Sequence, residues 1–213
     1  MEDLKRSGAD LETRGRERRE VPVARCDLEE PESFGPALDH AAERLGGLDA
    51  VVVTAAQFAT QETFEANRAL ARRMLTVNFT NTILFCEEAR GRLMARGGGV
   101  LCVFSSVSGD RARKPVILYG AAKAGLSAYL EGLDHKFRSR GLVTICVKPG
   151  FVRTGMTAEL DAPPFAGEPE AVAKDVLRAI ERGKPVVYTP RVWGYVMLVI
   201  RNLPRFVMRR ASF

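Results

Sequence analysis

A tyrosine and a lysine stand four residues apart in Tyr119-Gly-Ala-Ala-Lys123. On a helix that spacing puts both side chains on one face, one turn from each other. A free phenol has a pKa of about 10 and is a poor base at neutral pH. A neighbouring ammonium favours the phenolate and lowers that value. A tyrosine tuned in this way passes a proton to or from a hydroxyl or carbonyl oxygen. The pair alone is a weak signal, because the same spacing occurs in ordinary surface contacts. Ser106 strengthens it: it lies thirteen residues before the tyrosine, in Phe104-Ser-Ser-Val-Ser-Gly109, directly after an apolar run. A hydroxyl there is available to a substrate oxygen. Further along, Lys148-Pro-Gly-Phe-Val-Arg-Thr154 offers a turn whose Gly150 lets the backbone approach a ligand closely, with a hydroxyl at Thr154. Asn78 is an amide flanked by Val77 and Phe79, a setting that favours burial.

These groups need a scaffold that brings them to one edge. The apolar run at residues 50–54 reads as a strand buried on both faces, and residues 100–104 and 142–147 are further apolar strands. Residues 21–26 and 185–189 are shorter β-favouring runs. Helical stretches lie between them: residues 31–46, stopped by Gly46-Gly47; residues 63–95, broken near Thr76; residues 115–138; and residues 169–182. Residues 2–14 also favour helix, closed by Gly15 and a solvated turn over residues 15–20, while residues 155–168 are loop-like. Alternating strands and helices predict an α/β fold, a Rossmann-like parallel sheet with helices on both faces. Open sheets of this kind hold ligands at the carboxyl ends of their strands. Ser106 and the Pro149-Gly150 turn both fall on such ends.

In this order and spacing, the chain resembles the short-chain dehydrogenase/reductase family. The resembling stretches are Cys26-Asp27-Leu28, Leu48-Asp-Ala-Val-Val-Val-Thr-Ala-Ala56, Val77-Asn78, Ser105-Ser106, Tyr119-x-x-x-Lys123 and Pro149-Gly150-x-x-x-Thr154. The resemblance implies an NAD(P)-dependent oxidoreductase interconverting an alcohol and a ketone or aldehyde. It implies Tyr119 as the acid/base, Lys123 as the group that lowers its pKa and binds the nicotinamide ribose, Ser106 on the substrate carbonyl, and Asn78 in a water relay to Lys123. It also implies cofactor contacts at Asp27 and Leu28 (adenine), at Ala55 and Ala56 (ribose), and at Pro149, Gly150, Val152 and Thr154 (nicotinamide). The cofactor is NAD or NADP, with no residue here that chooses between them. A homo-oligomer is implied as well. The competing reading is a non-catalytic binding or scaffold protein built on the same fold.

Two departures from the family pattern stand out. Where the family has Asn-Asn-Ala-Gly, this chain has Val53-Thr54-Ala55-Ala56. The family also opens with a strand, a Gly-rich turn and a helix leading to a second strand, and no such stretch precedes residue 21. The expectation is therefore a fold missing its first βαβ segment, a truncated or mis-started form of a complete enzyme. The strand at residues 21–26 would then lack a neighbour, and residues 50–54 would form an unpaired edge. The alternative expectation is a short form completed by a partner.

The formal net charge is +6 over 213 residues. Arg191, Arg201, Arg205, Arg209 and Arg210, with no acid among residues 191–213, supply +5 of it. A nucleic-acid partner is not expected from so local an excess. Residues 1–190 read as the partial Rossmann-like domain and residues 191–213 as a basic amphipathic helix. Its nine apolar or aromatic residues between Arg191 and Arg201, followed by arginines mixed with Phe206, fit a helix lying on an anionic membrane. They fit equally a helix packed over a substrate pocket or into a subunit interface. A lipid-like substrate is a further expectation from this tail, and peripheral membrane contact goes with it. Met1 is followed by charge rather than by an apolar leader, and a cytoplasmic location is expected. Cys26, Cys86, Cys102 and Cys146 form no CxxC pair and read as small buried hydrophobes, so no metal site is expected.

Overall fold

Successive side chains of a strand point to opposite faces, so a strand covered on both sides is apolar throughout. In the computed structural model, which describes residues 2–14 and 21–211, four strands pair in parallel in the order β1-β2-β3-β4: β1 Ala50–Val53, β2 Gly99–Phe104, β3 Leu142–Pro149 and β4 Val186–Thr189. Val53 pairs with Val103, Val103 with Cys146, and Pro149 with Thr189. All four carboxyl ends therefore emerge at one edge.

Helices cover both faces. Val51, Val53, Leu101, Val103, Leu142 and Cys146 pack against Leu38, Cys86, Ala89, Leu93, Leu126 and Leu130. These come from α2 (Phe34–Leu45), α5 (Thr82–Ala95) and α6 (Ile117–Phe137). On the opposite face Cys102, Ile145, Val147 and Val187 meet Val172, Val176 and Ala179 of α7 (Pro169–Arg182). Proline at the first turn and Gly183 in the left-handed conformation (φ 58°) set the ends of α7. The long helical stretch before β2 is divided by its own caps. Thr60 accepts from Thr63 N to start α3 (Gln61–Ala66), and Asn67 accepts from Leu70 N to start α4 (Arg68–Leu75). The expected break near Thr76 is a π-helical turn, Thr76–Asn81, leading straight into α5.

Several expectations are corrected. Residues 21–26 are extended but form no strand: Val21 N donates to Glu12 Oε1 (2.9 Å) and Val23 lies against Gly8 of α1 (Glu2–Arg14). A β-favouring run becomes a strand only through a ladder partner, and among the described residues this one meets a helix instead. β1 is not buried on both faces: Val51 and Val53 are covered, whereas Ala50 is exposed and Val52 is 47% exposed. Among the described residues β1 pairs with β2 alone, and α7 packs over the other three strands. Cys86, Cys102 and Cys146 are buried as expected, but Cys26 is exposed. The C-terminal segment is two helices, α8 Val192–Asn202 and α9 Arg205–Arg210. Pro204 divides them, because a proline ring cannot continue the hydrogen-bonded turn. The turn expected at residues 15–20, with its Gly15 helix stop, lies outside the described residues, as do residues 212–213 of the tail.

Candidate active site

The first turns of α6 carry Tyr119 and Lys123 against the loop that leaves β2. That loop must come very close, and two glycines permit it. A Cβ on Gly109 would meet the backbone of Lys123 and Ala124 at 2.7 Å, and one on Gly120 would meet Ser108 O at 2.8 Å. Ser105 Oγ donates to Lys123 O (2.9 Å) and shares a hydrogen bond with Ser127 Oγ (2.8 Å), pinning the strand end to the helix.

Ser106, Tyr119 and Lys123 are brought together and buried, Lys123 to 2% exposure and Tyr119 to 9%. The Ser106 hydroxyl stands close enough to the Tyr119 phenol to lower its pKa, and Ser106 Oγ accepts from Ser108 N (3.1 Å). Phe58 packs edge-on against the phenol ring, with centroids 5.0 Å apart. Lys123 Nζ donates to Phe104 O (2.8 Å) and stands 5.7 Å from the Tyr119 ring centroid. The expectation that the lysine would draw the phenol's pKa down is not met. Burial pushes Tyr119 up to about 12, with the Ser106 hydroxyl pulling the other way. Burial also draws Lys123 down to about 8. In so dry a setting desolvation of the charged form dominates at both residues. The phenol therefore stands protonated, as an acid.

Asn78 sits in the π-helical turn, where the extra residue re-aims side chains out of the helical register. Its Oδ1 accepts from Gln57 N (2.7 Å) and its Nδ2 donates to Gln57 O (2.6 Å). It clamps the loop after β1, with Ala55 and Ala56 just before the clamp, and contacts Gln57 rather than Lys123. Asn81, three residues on, donates to Leu28 O (2.6 Å). Asp27 is taken up locally: its Oδ1 accepts from Glu29 N and its carboxylate pairs with Arg25. At the end of β3, Gly150 N donates to Thr189 O (3.0 Å). The close approach that glycine allows there is made by the Trp193 indole of α8, which stands where a Cβ would be. Val152 bridges to Gly167, and Thr154 caps the short turn Gly155–Thr157.

Ser106, Tyr119 and Lys123 thus gather at the carboxyl edge of a parallel sheet. A family model for short chain dehydrogenase matches residues 3–164. The chain belongs to the short chain dehydrogenase family. An uncharacterized oxidoreductase in the mprA 5′ region of Streptomyces coelicolor is 32% identical over 211 residues, covering 97% of this chain and 80% of that protein. An uncharacterized oxidoreductase of Mycobacterium tuberculosis (strain ATCC 25618 / H37Rv) is 30% identical over 190 residues, 89% of this chain and 76% of the relative. Among solved structures, a short chain dehydrogenase from Burkholderia cenocepacia J2315 in complex with NADP has a similar fold, with a TM-score of 0.77. It is 21% identical, and the match covers 89% of this chain and 77% of that one.

This short chain dehydrogenase also holds polar residues at the same edge, among them Asp110 and Arg111, which by sequence could touch a substrate but fit a solvated turn better. Asp110 reads as part of a solvated turn, yet its carboxylate is 3% exposed and bonded to Lys148 Nζ and the Tyr188 hydroxyl, each at 2.6 Å. Arg111 donates to Leu203 O (2.9 Å) and Lys114 to Arg209 O (2.7 Å), so the serine loop carries the C-terminal helices on its back. Arg113 turns inward to Ser108 Oγ (2.9 Å). Gln61, buried, accepts from Leu118 N (3.1 Å) next to Tyr119. The pairings of Asp110 join residues brought together by folding, and no local motif announces them. The described residues contain no helix long and apolar enough to cross a membrane.

Proposed function

We propose that this chain is an NAD(P)-dependent oxidoreductase that interconverts an alcohol and a carbonyl compound at Tyr119. The reading rests on one observation: a buried, protonated phenol beside a serine hydroxyl, with a buried ammonium on the next turn of the same helix. Tyr119 O–H gives its proton to the carbonyl oxygen in the reductive direction, and its high pKa keeps that proton in place until negative charge develops on the substrate. The Ser106 hydroxyl orients the same oxygen. Lys123, near 8, exchanges a proton close to neutral pH and restores the phenol. Asn78 acts through the Gln57 backbone that it holds.

The residues present fit a dinucleotide. An ammonium has three donors, and Lys123 Nζ gives one to Phe104 O, leaving donors for ribose hydroxyls. Ala55 and Ala56 put methyl-sized side chains just after β1, and Leu28, Pro149, Val152 and Thr154 would complete the contacts, while the Trp193 indole covers Gly150 and Arg25 pairs with Asp27. When bound, the nicotinamide supplies the hydride.

The tail supports two roles at once. Met197 is fully buried and Trp193 covers Gly150, so one face of α8 closes the site. The rest of α8 exposes Tyr195, Leu198, Val199 and Arg201, and α9 adds exposed Phe206, Arg205 and Arg209. This exposed set suits an anionic lipid surface and an apolar substrate drawn from it. Equal partitioning of the full chain and an Arg191-truncated chain onto anionic liposomes would remove this second role.

The test of the reaction is oxidation of NADH and NADPH by the purified chain with a graded set of aliphatic and aromatic ketones, wild type against Tyr119→Phe. Turnover lost in Tyr119→Phe, with folding intact, supports the reading. Equal turnover by both proteins overturns it, and binding without turnover favours the scaffold alternative.

A further inference from the structure

The loop between Ser106 and Tyr119 carries four charged side chains after Gly109, and three have evident work. Asp110 is paired with Lys148, and Arg111 and Lys114 hold carbonyls of the C-terminal helices. Arg113 is different. Its guanidinium is turned inward, with Nη2 donating to Ser108 Oγ (2.9 Å), while Nε is sealed from solvent with no partner. Among the described residues no Asp or Glu pairs with it, although Lys148, reached from the same loop, has a carboxylate of its own. Burial lowers its pKa, with no carboxylate opposing the shift.

Arg113 is partly buried, and a cation drawn out of water without a counter-charge is costly, so proteins pair such groups or satisfy them with a ligand. Guanidinium is the side chain whose planar fork of N–H donors matches carboxylate and phosphate. Its place is close to the reacting groups. Ser108, which it holds, donates its backbone N–H to Ser106 Oγ, and the Ser106 hydroxyl lowers the pKa of the Tyr119 phenol. The guanidinium thus stands two hydrogen bonds from Ser106, on the loop that carries that serine.

We propose that the substrate carries an anionic group, carboxylate or phosphate, which Arg113 binds while the carbonyl or hydroxyl meets Ser106 and Tyr119. This rests on the oxidoreductase reading, and the experiment separates the two. In the cofactor-free full chain, thermal unfolding is followed with inorganic phosphate or acetate added, on the order of tens of millimolar. Wild type and the exposed-surface control Arg68→Gln should rise in Tm, and Arg113→Gln, which retains amide donors to Ser108, should not. Protection by phosphate alone or acetate alone assigns the anion. Equal protection of Arg113→Gln, or no protection of wild type by either anion, overturns the proposal.

Kinetics give the second arm. With 4-oxopentanoate and its methyl ester as substrates, Arg113→Gln should lose at least tenfold more kcat/KM on the acid than on the ester, and Arg113→Lys should recover part of that loss. An equal loss on both substrates overturns the proposal. If neither compound turns over with wild type while phosphate still protects through Arg113, the anion site stands and the oxidoreductase reading falls.

Discussion

Asp110 and Lys148 form an ion pair of 2.6 Å that ties the serine loop to the end of β3, with the acid 3% and the lysine 13% exposed. The Tyr188 hydroxyl completes the carboxylate from β4. Three chain segments that bear on the site are thus joined at one buried acid. Each carries a strand end, so the pair sets how Ser106 stands relative to the Pro149-Gly150 turn.

Removing one partner leaves the other charge buried. Asp110→Ala should destabilise the protein by about 3–5 kcal/mol, read by denaturant unfolding. Adding Lys148→Met to that variant should recover part of the loss, because the stranded ammonium goes with it. A loss below about 0.5 kcal/mol for Asp110→Ala would mean that the pair behaves as a surface contact.

The displaced pKa of Lys123 makes stability depend on pH. Folding lowers this group from its ordinary 10.5 to about 8. Between those values the unfolded chain holds the extra proton, so stability should rise as pH rises through that window. The full effect is on the order of 3 kcal/mol. Tyr119 works in the opposite sense higher up: its proton is held to about 12 in the folded state, so stability falls as pH climbs from about 10 towards that value. Unfolding curves at pH 8 and pH 10 for wild type and Lys123→Met isolate the lysine. The same rise in both proteins would assign it to another group.

Close approach at Gly109 is testable against a glycine that has none. Gly109→Ala puts a Cβ 2.7 Å from the backbone of α6, which cannot yield locally. We expect a loss of about 1–3 kcal/mol and, because the serine shifts from the phenol, a fall in kcat of about tenfold or more. Gly91→Ala in α5 meets nothing within 4 Å and should gain about 0.5–1 kcal/mol from helix propensity. Thermal melts and steady-state kinetics of both variants check the contrast.

Much of this was legible in the chain. Hydrophobic runs bounded by Gly and Pro gave away the four strands and their helices, since burial on a sheet demands continuous apolar character and the turn residues mark its limits. The Tyr119–Lys123 spacing, with Ser106 just after a strand, placed three side chains at one edge because helix pitch and parallel pairing leave them little choice. Other features depended on long-range contacts. Residues 21–26 have strand composition, but a strand needs a neighbour, and theirs is α1. Asp110 and Arg111 look like a solvated turn, but Asp110 is covered by Lys148 and Tyr188, and Arg111 holds the carbonyl of Leu203 beyond α8. Trp193 fills the space beside Gly150 only because β4 delivers α8 to that place. The identity of the reacting groups is local chemistry and helical repeat, and so is written along the chain. Their pKa values, the ion pair that braces them and the unpaired guanidinium beside them arise from desolvation, which exists only once distant segments have closed over them.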